Sequence, residues 1–202
     1  VCWNRTEVRT TLAPTCSLTF AAQTSTDGSG IGTVSNLVCD PNGDPCRLQI
    51  QASTNGGASW FSTWGSGATS SLGATIASTQ RLSQVVDIKT TNEDYGVTAT
   101  NIVTFSWSTR SDCNGSGFGV ATLSNVFVRI TADDGDVSSS ISTNLPFLVD
   151  NQPPSALSAA VTVEGGALWT LNTDLFAAWS GFADAGAGVS GYYFALTDGG
   201  GT

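Results

Sequence analysis

The chain contains no histidine and no methionine, and only 7 of its 202 residues are Lys or Arg. Each absence closes a route. Without histidine there is no ordinary general base near neutral pH, which removes the usual Ser–His and Cys–His nucleophile pairs. No imidazole is present to complete a mixed zinc site either. The few cations stand against 16 acids, a net charge of −9, so nucleic acid and anionic membranes are poor partners, since both call for clustered Lys and Arg. No apolar run approaches the ~18 residues of a membrane-spanning helix. Charged residues make up 11% of the chain, about half the usual share. Ser, Thr, Gly and Ala fill the difference. That mixture suits short strands with small-residue turns and gives long helices few of the Leu, Glu and Lys they favour. The chain begins at Val1 with no initiator Met and no visible signal peptide, as expected of a processed or excised segment whose targeting sequence lies upstream.

Five cysteines stand at positions 2, 16, 39, 46 and 113, with no zinc-knuckle spacing among them. Cys39 and Cys46 bracket Asp40-Pro41-Asn42-Gly43-Asp44-Pro45, a turn-forming run expected to bring the two sulfurs together. Cys2 and Cys16 are placed to clip the N-terminal segment in the same way. Cys113 is then left unpaired or bonded to another subunit. Disulfides imply an oxidising, extracellular setting.

Strand patterning recurs along the chain. Ser17-Leu18-Thr19-Phe20 and residues 31–38 alternate loosely, and Leu48-Gln49-Ile50-Gln51-Ala52 alternates strictly, as a half-buried strand should. Asn55-Gly56-Gly57 is a hairpin signal, because its glycines accept positive φ at no steric cost. Trp60-Phe61-Ser62-Thr63-Trp64 returns from it. Further strands are expected at 82–88, 102–107, 126–130 and about 141–149, with a weaker stretch at 65–99. About seven such strands make a sandwich. Asp150-Asn151-Gln152-Pro153-Pro154 ends the first sheet, since prolines deny the ladder its donors. The expected organisation is an all-β, Ig-like or fibronectin-like β-sandwich at 1–150 and a Pro-rich linker at 151–154. A partial second sandwich follows at 155–202, with strands at 159–163, 175–179 and 192–196. Three strands alone would leave an apolar face in water.

The order of these motifs resembles a class of bacterial extracellular Ig-like or fibronectin-like repeats. The residues that carry the resemblance are the Asp40–Pro45 run, Ser53-Thr-Asn-Gly-Gly-Ala-Ser-Trp60, Phe105-Ser-Trp107, Val126-Phe-Val-Arg-Ile-Thr-Ala-Asp-Asp-Gly135 and Leu148-Val-Asp-Asn-Gln-Pro-Pro154. They cover roughly residues 31–154. Trp179-Ser-Gly-Phe-Ala-Asp-Ala-Gly-Ala-Gly-Val-Ser-Gly-Tyr192 resembles the opening of a related module. Ser53 to Trp60 also matches the Asp-box hairpin of sialidases, with Asn55 at the acidic position. A single copy does not make a propeller.

Candidate chemistry follows from the acids and aromatics. Asp40, Asn42 and Asp44 are expected at the pole where the chain enters the sandwich, together with Asp133, Asp134 and Asp136. Asp150, Asn151 and Asp184 are expected at the junction between modules. Such hard oxygen donors suit Ca²⁺; the competing reading is that Asp, Asn and Gly are simply preferred turn residues. Trp60 and Trp64, an even number apart, would share one strand face and offer a flat pair to a sugar, or else pack as buried payload. Acids confined to turns make a paired-carboxylate hydrolase, with groups about 5–10 Å apart, an accident, so no enzyme is expected. Asn4 and Asn114 head glycosylation sequons. The expected function is a secreted structural or adhesive protein, self-associating into a homopolymer or tandem array, its unfinished second sandwich completed either by strand donation from a neighbour or by chain continuing beyond Thr202. A surface glycan or protein ligand is a further expected partner. The alternative is a carbohydrate-binding or accessory module of a secreted enzyme.

Overall fold

The computed structural model describes residues 11–24, 28–72, 80–81, 85–92, 97–110, 112, 122–166 and 173–195. Cys2, Asn4, Cys113, Asn114 and the side chain of Trp64 lie outside the described residues.

Alternation builds the sandwich. In β2 (Ile31–Cys39), β3 (Cys46–Ser53), β10 (Asn101–Ser108) and β11 (Thr122–Asp133), buried residues recur every second position over most of each strand, because successive side chains point to opposite faces. Their inward members are Val34, Val38, Cys46, Leu48, Ile50, Ala52, Val103, Phe105, Trp107, Val126, Val128, Ile130 and Ala132, and with Ile88 and Val149 they form one core. Each large apolar side chain there contributes about 1.5–3 kcal/mol on burial. Asn36, in the same row, donates to the carbonyl of Val103 at 2.9 Å, while its Oδ1 is buried without a partner.

Two antiparallel sheets enclose this core. The first has the order β1-β2-β10-β5-β6, with β1 at Thr15–Gln23, β5 at Trp64–Ser70 and β6 at Gln80–Arg81. The second runs β12-β11-β3-β4, with β4 at Phe61–Ser62 and β12 at Ser142–Thr143. β7 (Val85–Ile88) also pairs with β3, and β13 (Phe147–Asp150) with β11. A small ribbon, β8 (Thr91–Asn92) with β9 (Val97–Thr98), lies between β7 and β10 in the chain. The protein is a β-sandwich. No helix among the described residues is long and apolar enough to cross a membrane.

The structure departs from the sequence expectations in four places. The strand expected at 141–149 is split into β12 and β13, since Pro146 has no N–H for the ladder. Asn144 spans the gap, its side-chain oxygen accepting from the Val128 amide at 2.6 Å. Trp60 and Trp64 do not share a strand. The chain changes sheets at buried Thr63, whose amide and hydroxyl both donate to the Ile50 carbonyl, at 3.2 and 3.3 Å, so β4 and β5 belong to different sheets.

Among the described residues no disulfide is formed, contrary to expectation. Cys16, Cys39 and Cys46 are free thiols. Cys39 belongs to the outward set of β2 with Thr33, Ser35 and Leu37, whereas Cys46 points into the core; a turn that brings two backbones together does not align side chains on opposite faces. Cys16 is directed at the hydroxyl of Ser139, 3.1 Å away, and towards the carbonyls of Ile130 and Ser140.

Beyond Pro154, β14 (Ala160–Val163) pairs with β15 (Ala177–Ser180), and every residue of both strands is exposed. Residues 192–195 form no strand, contrary to expectation. Their aromatics gather on Trp179 instead, with ring centroids at 5.4 Å for Tyr192 and 6.2 Å for Phe194.

Candidate functional site

Register brings two acidic loops together at the pole where the chain enters. Arg47 opposite Asp133 is the last pair of the β3–β11 ladder, so the Asp40–Pro45 turn feeding β3 lies beside the turn that follows Asp133. Asp40 is fully buried. Its Oδ1 accepts from the amides of Asn42 at 2.8 Å and Asp44 at 3.0 Å, an Asx turn. Its Oδ2 is buried with no hydrogen-bond partner. Asp134 repeats the pattern: Oδ1 accepts from the amides of Asp136 at 2.8 Å and Val137 at 2.7 Å, and Oδ2 is buried without a partner.

Asp133, next to Asp134, is spent locally. Asp133 accepts from the Ser138 hydroxyl at 2.6 Å and the Gly135 amide at 2.9 Å, and these bonds, Ser138 first, hold its carboxyl below the ordinary range. Asn42 accepts from the Leu12 amide at 2.9 Å, Asp44 gives its carbonyl to Thr90, and Asp136 is exposed. Cys46 lies among these groups. Burial, then the charges of Asp40 and Asp134, then Cys39 and Asp133, push its thiol up to about 12. It is therefore protonated and inert at neutral pH.

The second group lies where the sandwich hands over to residues 151–195. Buried Asp150 accepts at Oδ1 from the Thr122 hydroxyl at 3.0 Å and the Gln152 amide at 3.1 Å, and at Oδ2 from the Ala187 amide at 2.6 Å. Buried Asn151 accepts from Gln23 Nε2 at 3.0 Å and Thr109 Oγ1 at 2.9 Å. Gln23 also takes the Asp150 amide and donates to its carbonyl. Asp184 accepts from the amides of Gly186 and Gly188, while its Oδ2 is buried without a partner. Close approach requires glycine at 186, where a Cβ would stand 2.1 Å from Asp150 Oδ2.

Burial pushes the Asp150 carboxyl up, but the amides of Ala187 and Gln152 and the Thr122 hydroxyl together outweigh it and hold the group below its ordinary range. A carboxyl depressed in the folded state contributes stability above its unfolded pKa, and that contribution is lost as pH falls through the folded value. Urea midpoints measured from pH 7 to pH 2.5 should therefore fall below about pH 4. Asp150→Asn should lower the midpoint at pH 7 and flatten the acid limb. An equally steep limb in the variant would assign that dependence to other groups.

Among the described residues, no three His, Cys, Asp or Glu side chains converge on one point. The expected ligands thus assemble as two separate pairs of loops. Most of these acids close Asx turns; the first pair leaves two carboxylate oxygens without a donor, Asp40 Oδ2 and Asp134 Oδ2, and the second leaves one, Asp184 Oδ2. Sequence reasoning missed Gln23 and Cys46 as members of these clusters; the signal for Gln23 was a lone amide ending an apolar strand.

Of the aromatic pair expected to stack on sugar, only the Trp60 side chain lies among the described residues. The Arg129 guanidinium lies 4.2 Å over its ring and is itself held by Gln51 at 2.9 Å. The Ser53–Trp60 turn is held by its own groups: Ser53 Oγ donates to Asn55 Oδ1, and the Gly57 and Ser59 amides return to Ser53 and Asn55. Compared with known proteins, the chain matches no family model, no curated protein and no solved structure.

Proposed function

We propose that this chain is a module of an extracellular structural or adhesive protein, of the Ig-like or fibronectin-like kind, that associates with further copies of itself rather than catalysing a reaction. The observation that carries the reading is the apolar surface beyond Pro154. Leu157 is 98% exposed, Tyr193 105% and Phe194 75%, beside half-exposed Val161, Leu175, Trp179 and Tyr192. Trp179 gathers Tyr192 and Phe194 into one exposed aromatic group, exposed apolar surface of this kind marks an interaction site, and the two-stranded β14–β15 ribbon has edges to which a neighbour's strand can add. The acidic, Lys-poor composition keeps such a surface soluble until its partner arrives.

Sedimentation velocity at tens of micromolar, with electron micrographs of the same sample, tests it. Species larger than the 20.7 kDa chain are expected, and continuous fibres would be their limit. Tyr193→Ser combined with Phe194→Ser should return the protein to a monomer without moving its melting temperature. A wild-type chain that stays monomeric throughout would overturn the reading.

A further inference from the structure

We infer that the pole built from the Asp40–Pro45 turn and the Asp133–Ser138 turn binds one Ca²⁺ ion, held by Oδ2 of Asp40 and Oδ2 of Asp134. Asp40 is 0% exposed, and one of its oxygens is saturated by two amides while the other has no donor. A buried carboxylate oxygen with nothing opposite it is costly, and the adjoining turn leaves a second one, Asp134 Oδ2, in the same condition. Turn closure does not explain them, because the Asx bonds in both loops use Oδ1 alone. Nor does a protein cation: Arg47, the basic residue of this ladder end, is exposed and acts on Asp133. The two loops are adjacent by register, and both carboxylates act on the same thiol, Cys46.

The donor set chooses the ion. Carboxylate oxygens are hard ligands, and Cys46 turns its thiol to the Asp44 carbonyl at 3.7 Å as a donor rather than offering a thiolate, which disfavours zinc. Two side-chain ligands on irregular turns suit Ca²⁺, which completes a loose shell with backbone carbonyls and water; Mg²⁺ demands near-octahedral geometry. So few carboxylates place the affinity at the weak end, a Kd of roughly 10⁻⁴–10⁻³ M. This site stands whether or not the chain self-associates.

Thermal melts of the whole chain in 10 mM CaCl₂ and in EDTA test it. Wild type and Asp136→Asn, an exposed acid of the same turn, should gain about 5 °C or more in calcium, and 10 mM MgCl₂ should give less than half of that. Asp134→Asn and Asp40→Asn should show no gain. Should Asp40→Asn fail to fold, Asp134→Asn, in a surface turn, still decides. An unchanged wild-type melt, or a gain that survives in Asp134→Asn, overturns the site. A gain lost in Asp184→Asn but kept in Asp134→Asn overturns it too and moves the ion to the other pole.

Discussion

Trp107→Ala should cost about 3–5 kcal/mol, enough to leave a small sandwich largely unfolded at 37 °C. Trp107 is fully buried on β10 between the sheets, edge-on to Phe147 at 6.2 Å and 81°. Its indole N–H donates to Asp112, which is itself fully buried. Truncation therefore does two things at once: it opens a large cavity in the core, and it strips a donor from a buried carboxylate. Trp107→Phe separates them. It keeps most of the ring volume and the edge contact while deleting the N–H, so its cost should be about half that of alanine. Urea midpoints for the three proteins measure both terms. An alanine variant losing less than about 1 kcal/mol would mean that Trp107 is not the centre of the core.

How far the sequence spoke for this fold depended on which interactions decide each element. β3 was legible because Leu48, Ile50 and Ala52 alternate strictly with polar residues, and burial follows that parity. β5, Trp-Gly-Ser-Gly-Ala-Thr-Ser, was not legible, since small flexible residues have poor strand propensity. Its order comes from pairing along β10, from Val103 opposite Ser70 to Trp107 opposite Gly65. Trp60 and Trp64, an even number apart, would share a face only on one continuous strand, and Thr63 sends the chain to the other sheet. Cys39 and Cys46 are the complementary case: the turn between them was legible, but not the faces on which it leaves each side chain. The acids divide along the same line. Asp-x-Asn-Gly and Asp-Asp-Gly announce turns, because an Asx bond reaches only two residues. Which oxygen of each carboxylate is left over, and against which loop, is a tertiary property that no local pattern encodes.

Gly30→Ala is the second substitution expected to be severe, at about 3 kcal/mol or more, because it combines two mechanisms that usually occur apart. Gly30 has a φ of +72°, and a Cβ there would lie 2.3 Å from Arg110 Cβ and 2.8 Å from the Arg110 backbone nitrogen. Left-handed backbone costs a non-glycine residue roughly 1–2 kcal/mol. Contact with backbone atoms cannot be relieved by turning a side chain, so the clash adds to it. What moves is a clasp: the Thr109 amide donates to the Gly30 carbonyl at 2.7 Å, and the Arg110 guanidinium to that of Gly28 at 2.7 Å. Thr109 in turn holds Asn151, so disturbance at residue 30 passes to the handover loop around Asp150. Gly43→Ala is the control. Its φ is +79°, yet the nearest atom to its Cβ would be Thr91 Cγ2 at 3.4 Å, an ordinary contact. It should lose only the conformational part, roughly 1–2 kcal/mol. Urea midpoints for both variants read the difference. Equal losses would show that the Arg110 backbone yields, and that Gly30 is required for its φ alone.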